Sequence, residues 1–177
     1  MSDTLAFIAA LALAATFAWA AAAKAVWAAG WRTVVVGFGF RGRVEPIVAV
    51  GVPIVELAVA LTILWGSAKA GAAMAMALVA AFSAAVVRAR TLQGDRLPCG
   101  CFGRATVRDY RTMLARNALG GCLTAVVLLG GGDAGIFDAA AAPSGPELIP
   151  AALTCLGTIL AGWTLWRAGP LRGGGRR

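Results

Sequence analysis

The stretch Pro46-Ile-Val-Ala-Val-Gly-Val-Pro53-Ile-Val-Glu56-Leu-Ala-Val-Ala-Leu-Thr-Ile-Leu-Trp65 decides the fold. Nineteen of its twenty residues are uncharged, and about 20 apolar residues in helical form are what a bilayer crossing requires. Pro46 suits the first turn of a helix, where its missing N–H costs nothing. Trp65 closes the stretch as an interfacial aromatic does. A soluble core helix of this length would carry a polar face, and this one has none.

Working outward, the same pattern recurs. Further helices are expected from about Leu5 to Trp27, Ala70 to Val87, Thr112 to Leu129 and Leu148 to Trp166. Trp27, Trp31, Trp65, Trp163 and Trp166 fall near the proposed ends, where interfacial anchors belong. The chain of 177 residues is 60% hydrophobic and 14% charged, with a mean hydropathy of +0.80. A soluble domain carries roughly 25% charged residues. The fold class is therefore all-α and polytopic: a four-helix transmembrane bundle plus a fifth transmembrane helix. Residues 1–167 read as one transmembrane domain, and 168–177, with LRGGGRR, as a basic disordered tail. The first apolar stretch has no basic n-region and outruns the h-region of a signal peptide, so it reads as a retained helix.

The connections differ. Residues 30–45 hold Arg32, Arg41 and Arg43 around an apolar stretch, as an interfacial helix or an extension of the first helix. The turn at Gly66, Ser67 and Lys69 is tight. Residues 88–111 form the longest polar segment. Gly71, Ala75, Gly120 and Gly121 are candidates for close helix packing.

The net charge of +8 raises nucleic acid as a partner in a soluble protein. Here the basic residues sit in short segments beside apolar helices, where anionic headgroups are the partner, and nucleic acid is excluded. With the N-terminus outside, fifteen of the sixteen basic residues fall inside and only Lys69 outside. That count places residues 88–111 in the cytoplasm.

The chain has no histidine. Imidazole acid–base catalysis, axial histidine ligation of haem and histidine-containing zinc sites are excluded. Chemistry falls to cysteines, carboxylates, Lys or Tyr. In Leu97-Pro98-Cys99-Gly100-Cys101-Phe102-Gly103, two cysteines stand one residue apart across a glycine that supplies backbone freedom. A disulfide so tightly ringed is strained, hence more reducible. Arg96, Arg104 and Arg108 favour the thiolate. Three readings stand together: a thiol–disulfide exchange site, a static clip, and half of a soft-metal port. Cys99, after Pro98, is expected to form the mixed disulfide with a partner. Cys122 and Cys155 read first as packing residues inside helices, and otherwise as a second redox pair.

Glu56 lies deep in its helix, where an unpaired carboxylate costs several kcal/mol. Lys24, Arg116 and Asn117 are its candidate partners. The pair is either structural or a proton-carrying or cofactor-site carboxylate, and Pro53 one turn earlier opens the helix backbone.

These residues resemble a family. PCGCFG in a loop, a basic stretch, Arg116-Asn117 entering a helix, Pro53-x-x-Glu56 and Ala23-Lys24 are similar to the MauE methylamine-utilisation membrane proteins over about residues 5 to 130. The resemblance implies a bundle of the DoxX-like and vitamin K epoxide reductase-like kind in the bacterial inner membrane. It implies support for disulfide formation and maturation of the small subunit of methylamine dehydrogenase, with a thioredoxin-like periplasmic partner, MauD. Cys99 and Cys101 match the family's cysteine pair, and Glu56 its second-helix carboxylate. Some bundles of that kind use a quinone, which is the cofactor the resemblance allows; no second C-x-x-C matches their quinone-side pair, which weakens the case for direct quinone reduction. The implied chemistry wants Cys99 and Cys101 on the periplasmic side, against the arginine count; the reading leans to the periplasm. The rivals are a non-enzymatic scaffold or export aid for that partner, and a soft-metal handling transporter.

Overall fold

The structure, a computed structural model, describes residues 3–99 and 106–137. The expected fifth helix, the tail, Cys101 and Cys155 lie outside the described residues. Those described belong to one compact unit, Met1–Ala142.

Four of the described helices are long and apolar enough to cross a membrane: α1 (Asp3–Val26), α3 (Val44–Trp65), α4 (Ala68–Gln93) and α5 (Tyr110–Gly130). The chain is a multi-pass, helical membrane protein. A short helix, α2 (Ala28–Gly37), follows α1 after a break at Trp27, whose ψ of 46° leaves the helical range. Residues 30–45 thus contain a separate helix rather than a smooth extension of α1.

The long helices pack as an antiparallel ring: α1 against α3 and α5, and α4 against α3 and α5. The inner surface is built largely from alanine. Ala9, Ala10, Ala14 and Phe17 of α1 meet Val59, Ala60 and Ile63 of α3, Ala72 and Ala75 of α4, and Val127 of α5. Without a hydrophobic drive between helices in lipid, close van der Waals contact holds them, and small side chains permit it. Gly71 abuts Ile63, and Gly120 abuts Val79, whose Cγ2 lies 3.6 Å from where a Cβ would stand; Gly121 faces open space.

One end of the bundle is closed by backbone bonding. Ser67 caps α4 by accepting from the Ala70 N–H at 3.2 Å. The segment after α5 folds back: the Ile136 and Phe137 amides donate to the Ile63 and Leu64 carbonyls at 3.1 and 2.9 Å. Those carbonyls belong to the last turn of α3, which has no helical donors of its own.

The other end carries a feature absent from the sequence reading, a two-stranded antiparallel ribbon. β1 (Arg96–Cys99) pairs with β2 (Thr106–Asp109), with Arg96 opposite Asp109 and Cys99 opposite Thr106. Gly94, with φ at +87°, ends α4 and turns the chain into β1. Asp109 ends β2 and caps α5, accepting from the Arg111 N–H at 2.8 Å. Leu97 and Cys99, two apart and so on one strand face, are buried with Val86, Ala89 and Met113 in a second small core.

Candidate functional site

Cys99 sits at the last paired position of β1, its side chain only 6% exposed. Pro98 is wedged against α2: a Cβ on Gly37 would stand 2.7 Å from the Pro98 Cγ. Gln93 donates to the carbonyl of the same Gly37. The end of α2, the end of α4 and β1 are thus locked together around one glycine, and this lock holds Cys99 in place. Burial among apolar groups shields its sulfur from a macromolecular partner.

The carboxylate is the thirteenth of 22 residues in α3, near mid-membrane. Lys24, in the last turn of α1, donates to both its oxygens, at 2.7 Å to Oε1 and 2.8 Å to Oε2. The residues are 3% and 2% exposed. Of the candidate partners, Lys24 reaches Glu56 by direct ion pairing. Asn117 donates instead to Ser83 Oγ at 3.1 Å, and Ser83 donates to the Val79 carbonyl at 2.8 Å, so Asn117 ties α5 to α4.

Trp31, expected as an interfacial anchor, belongs to this same centre. Its ring lies beside Lys24, the Nζ 5.1 Å from the ring centroid, within reach of a cation–π contact. Its indole N–H donates to the Ala49 carbonyl at 2.9 Å. Ala49 is four residues before Pro53, which has no N–H to return the helical bond. In hydrocarbon such a carbonyl must find another donor, and Trp31 is that donor. The signal was present in the sequence as Pro53 and an aromatic donor, but nothing in it joined the two.

Further out on the same two helices, Arg32 Nε donates to Glu45 at 2.7 Å. That bond, with the charge behind it, holds the guanidinium above its ordinary value. α2 therefore touches α3 at two levels, through Trp31 and Arg32, and touches β1 at Gly37. It spans from the buried ion pair to the cysteine-bearing strand.

Cys122 is exposed on α5. Its proposed redox partner Cys155 lies outside the described residues. Among the described residues no group of three or more Cys, Asp or Glu could hold a metal ion.

The family model described as Methylamine utilisation protein MauE matches residues 2–130. No curated protein and no solved structure matches the chain. The match spans α1 through α5 and includes Lys24, Glu56, Cys99 and Cys101; this chain belongs to the MauE family and through it to methylamine utilisation.

Proposed function

We propose that this MauE-family chain is a thiol–disulfide oxidoreductase of the bacterial inner membrane that supports disulfide formation in a periplasmic protein, working with a thioredoxin-like partner. Methylamine dehydrogenase's small subunit is the substrate that the family suggests. The observation that carries the reading is the lock around Gly37. It fixes Cys99 on a paired strand at the ribbon's mouth, two residues from Cys101 in sequence.

Exchange conserves disulfides: a thiolate attacks one sulfur of an S–S bond, a new S–S bond forms, and the other sulfur leaves as thiolate. A buried, fixed Cys99 suits the resolving role, which needs reach only to Cys101. The partner-facing role then goes to Cys101. Lys24 and Glu56 serve to hold α1 against α3 and, through Trp31, to set α2 beneath the ribbon.

The test is trapping of a mixed disulfide between the full-length chain and the thioredoxin-like partner. Cys99→Ser, lacking the resolving thiol, accumulates the adduct; Cys101→Ser does not. Labelling Cys101 in intact cells with an impermeant thiol reagent after mild reduction reports the side of the membrane. Modification only after membrane disruption would remove the periplasmic version.

The small core around Cys99 also favours a second reading, a scaffold in which the cysteines only brace the ribbon. A Cys99→Ser/Cys101→Ser double variant that still supports maturation selects that reading.

A further inference from the structure

A groove of about 520 Å³ opens between the α2–α3 connection and α4. Its α4 wall is Ala81, Ala84, Ala85 and Arg88, spaced i, i+3, i+4, i+7 and so on one helix face. Phe40 and Arg41 close it from the connection. That connection bends through Gly39 and Gly42, both with positive φ, 89° and 64°. The Arg88 guanidinium lies against Gly39, 3.9 Å from where a Cβ would stand.

The charges around the groove do not balance. At this end of the bundle Glu45 is engaged by Arg32, Asp95 by Arg90, and Asp109 caps α5. Neither Arg41 nor Arg88 has a carboxylate partner among the described residues. Two guanidinium groups thus stand over an apolar floor without a carboxylate counter-ion among the described residues.

Depth gives the scale. Arg88 is twenty residues after Ala68, the first residue of α4. At about 1.5 Å per residue that is roughly 30 Å, the thickness of the hydrocarbon core. Arg88 therefore stands at the headgroup level, and Ala81 is about 10 Å deeper, among acyl chains. A phosphate above and an alkyl chain below match this layout.

We propose that the groove is a binding site for one anionic glycerophospholipid. Its phosphate is held by Arg41 and Arg88, whose planar forks suit phosphate oxygens. Its acyl chain lies along Ala81, Ala84 and Ala85, beside Phe40. With no carboxylate partner among the described residues, Arg41 and Arg88 select an anionic over a zwitterionic headgroup.

The full-length chain in neutral detergent is titrated with phosphatidylglycerol or with phosphatidylcholine of the same acyl chains, and retained lipid is measured by native mass spectrometry. Phosphatidylglycerol is retained preferentially. An Arg41→Gln/Arg88→Gln variant retains it about tenfold less, as expected for losing a charge-assisted contact. Arg43→Gln, which removes a neighbouring charge outside the groove, leaves retention unchanged. Ala84→Phe, which fills the floor, also lowers retention, and its unchanged thermal midpoint in phosphatidylcholine nanodiscs shows that it folds. Equal retention by Arg41→Gln/Arg88→Gln and Arg43→Gln would overturn the proposal. So would displacement of the lipid by inorganic phosphate alone, which marks an anion site with no use for the acyl chain.

Discussion

The indole of Trp31 donates to the carbonyl of Ala49, the one backbone acceptor in α3 that Pro53 leaves without its helical N–H. A proline inside a transmembrane helix is tolerated when a neighbour re-satisfies the freed carbonyl. Here the neighbour is α2, and the proline gives α2 its attachment point to α3.

That dependence is measurable as a coupling. Trp31→Phe keeps an aromatic ring, though a smaller one, and removes the donor; loss of the hydrogen bond alone should cost about 1–2 kcal/mol, the range for leaving a buried acceptor unmet. In a Pro53→Ala background the new residue-53 N–H supplies Ala49. Trp31→Phe should then cost less, by about 1 kcal/mol. Chemical unfolding of the four proteins in one detergent gives the coupling energy. Additive costs would show that the indole bond does not answer to the proline.

The ion pair predicts an asymmetry between single and double variants. Lys24 and Glu56 are both buried and bonded at 2.7 and 2.8 Å. Removing one partner strands the other, at about 3–5 kcal/mol, whereas replacing both with apolar residues of similar size costs much less. Lys24→Met and Glu56→Leu should each lower the thermal midpoint strongly, and Lys24→Met/Glu56→Leu should recover most of it. A double variant worse than either single one would show that the pair does more than neutralise itself. Arg32 and Glu45 provide the contrast. Arg32 is mostly exposed, so Arg32→Ala should leave the thermal midpoint nearly unchanged.

The lock around Gly37 predicts a change in thiol reactivity. A Cβ there overlaps the Pro98 ring at 2.7 Å, so Gly37→Ala must push β1 away from α2. In a chain whose other cysteines are replaced by serine, Cys99 should then be alkylated several-fold faster than with Gly37 intact. An unchanged rate would mean that the strand's position does not control access to the sulfur.

The legible part of the fold was the part governed by bulk transfer energy. The span ending at Trp65 could be read from its lack of polar residues, because a helix in lipid needs no other code. Cys99, Cys101, Glu56 and Lys24 stood out because each is expensive or reactive where the sequence puts it. The ribbon was not legible. Arg96-Leu-Pro-Cys99 and Thr106-Val-Arg-Asp109 are four residues each, with a proline in one and charges in both. They pair because Gly94 and the Asp109 cap bring them together, a tertiary cause with almost no local signal. The role of Trp31 was hidden for a similar reason. Its partner is a backbone carbonyl, which every residue possesses.

The glycines sharpen the same distinction between composition and place. Gly71 and Gly121 both sit inside transmembrane helices and look equivalent in the sequence. A Cβ on Gly71 would collide with the Ile63 side chain and stand 2.9 Å from its backbone nitrogen, while one on Gly121 meets nothing within 4 Å. Backbone cannot retreat as a flexible side-chain tip does, so Gly71→Ala has to separate α3 from α4, at about 1–3 kcal/mol for overpacking. Gly121→Ala adds a better helix former in open space and should stabilise α5 by up to about 1 kcal/mol. Thermal midpoints of the two variants should therefore move in opposite directions from the parent. Two shifts of the same sign would mean that the α3–α4 seam yields more easily than its close packing implies.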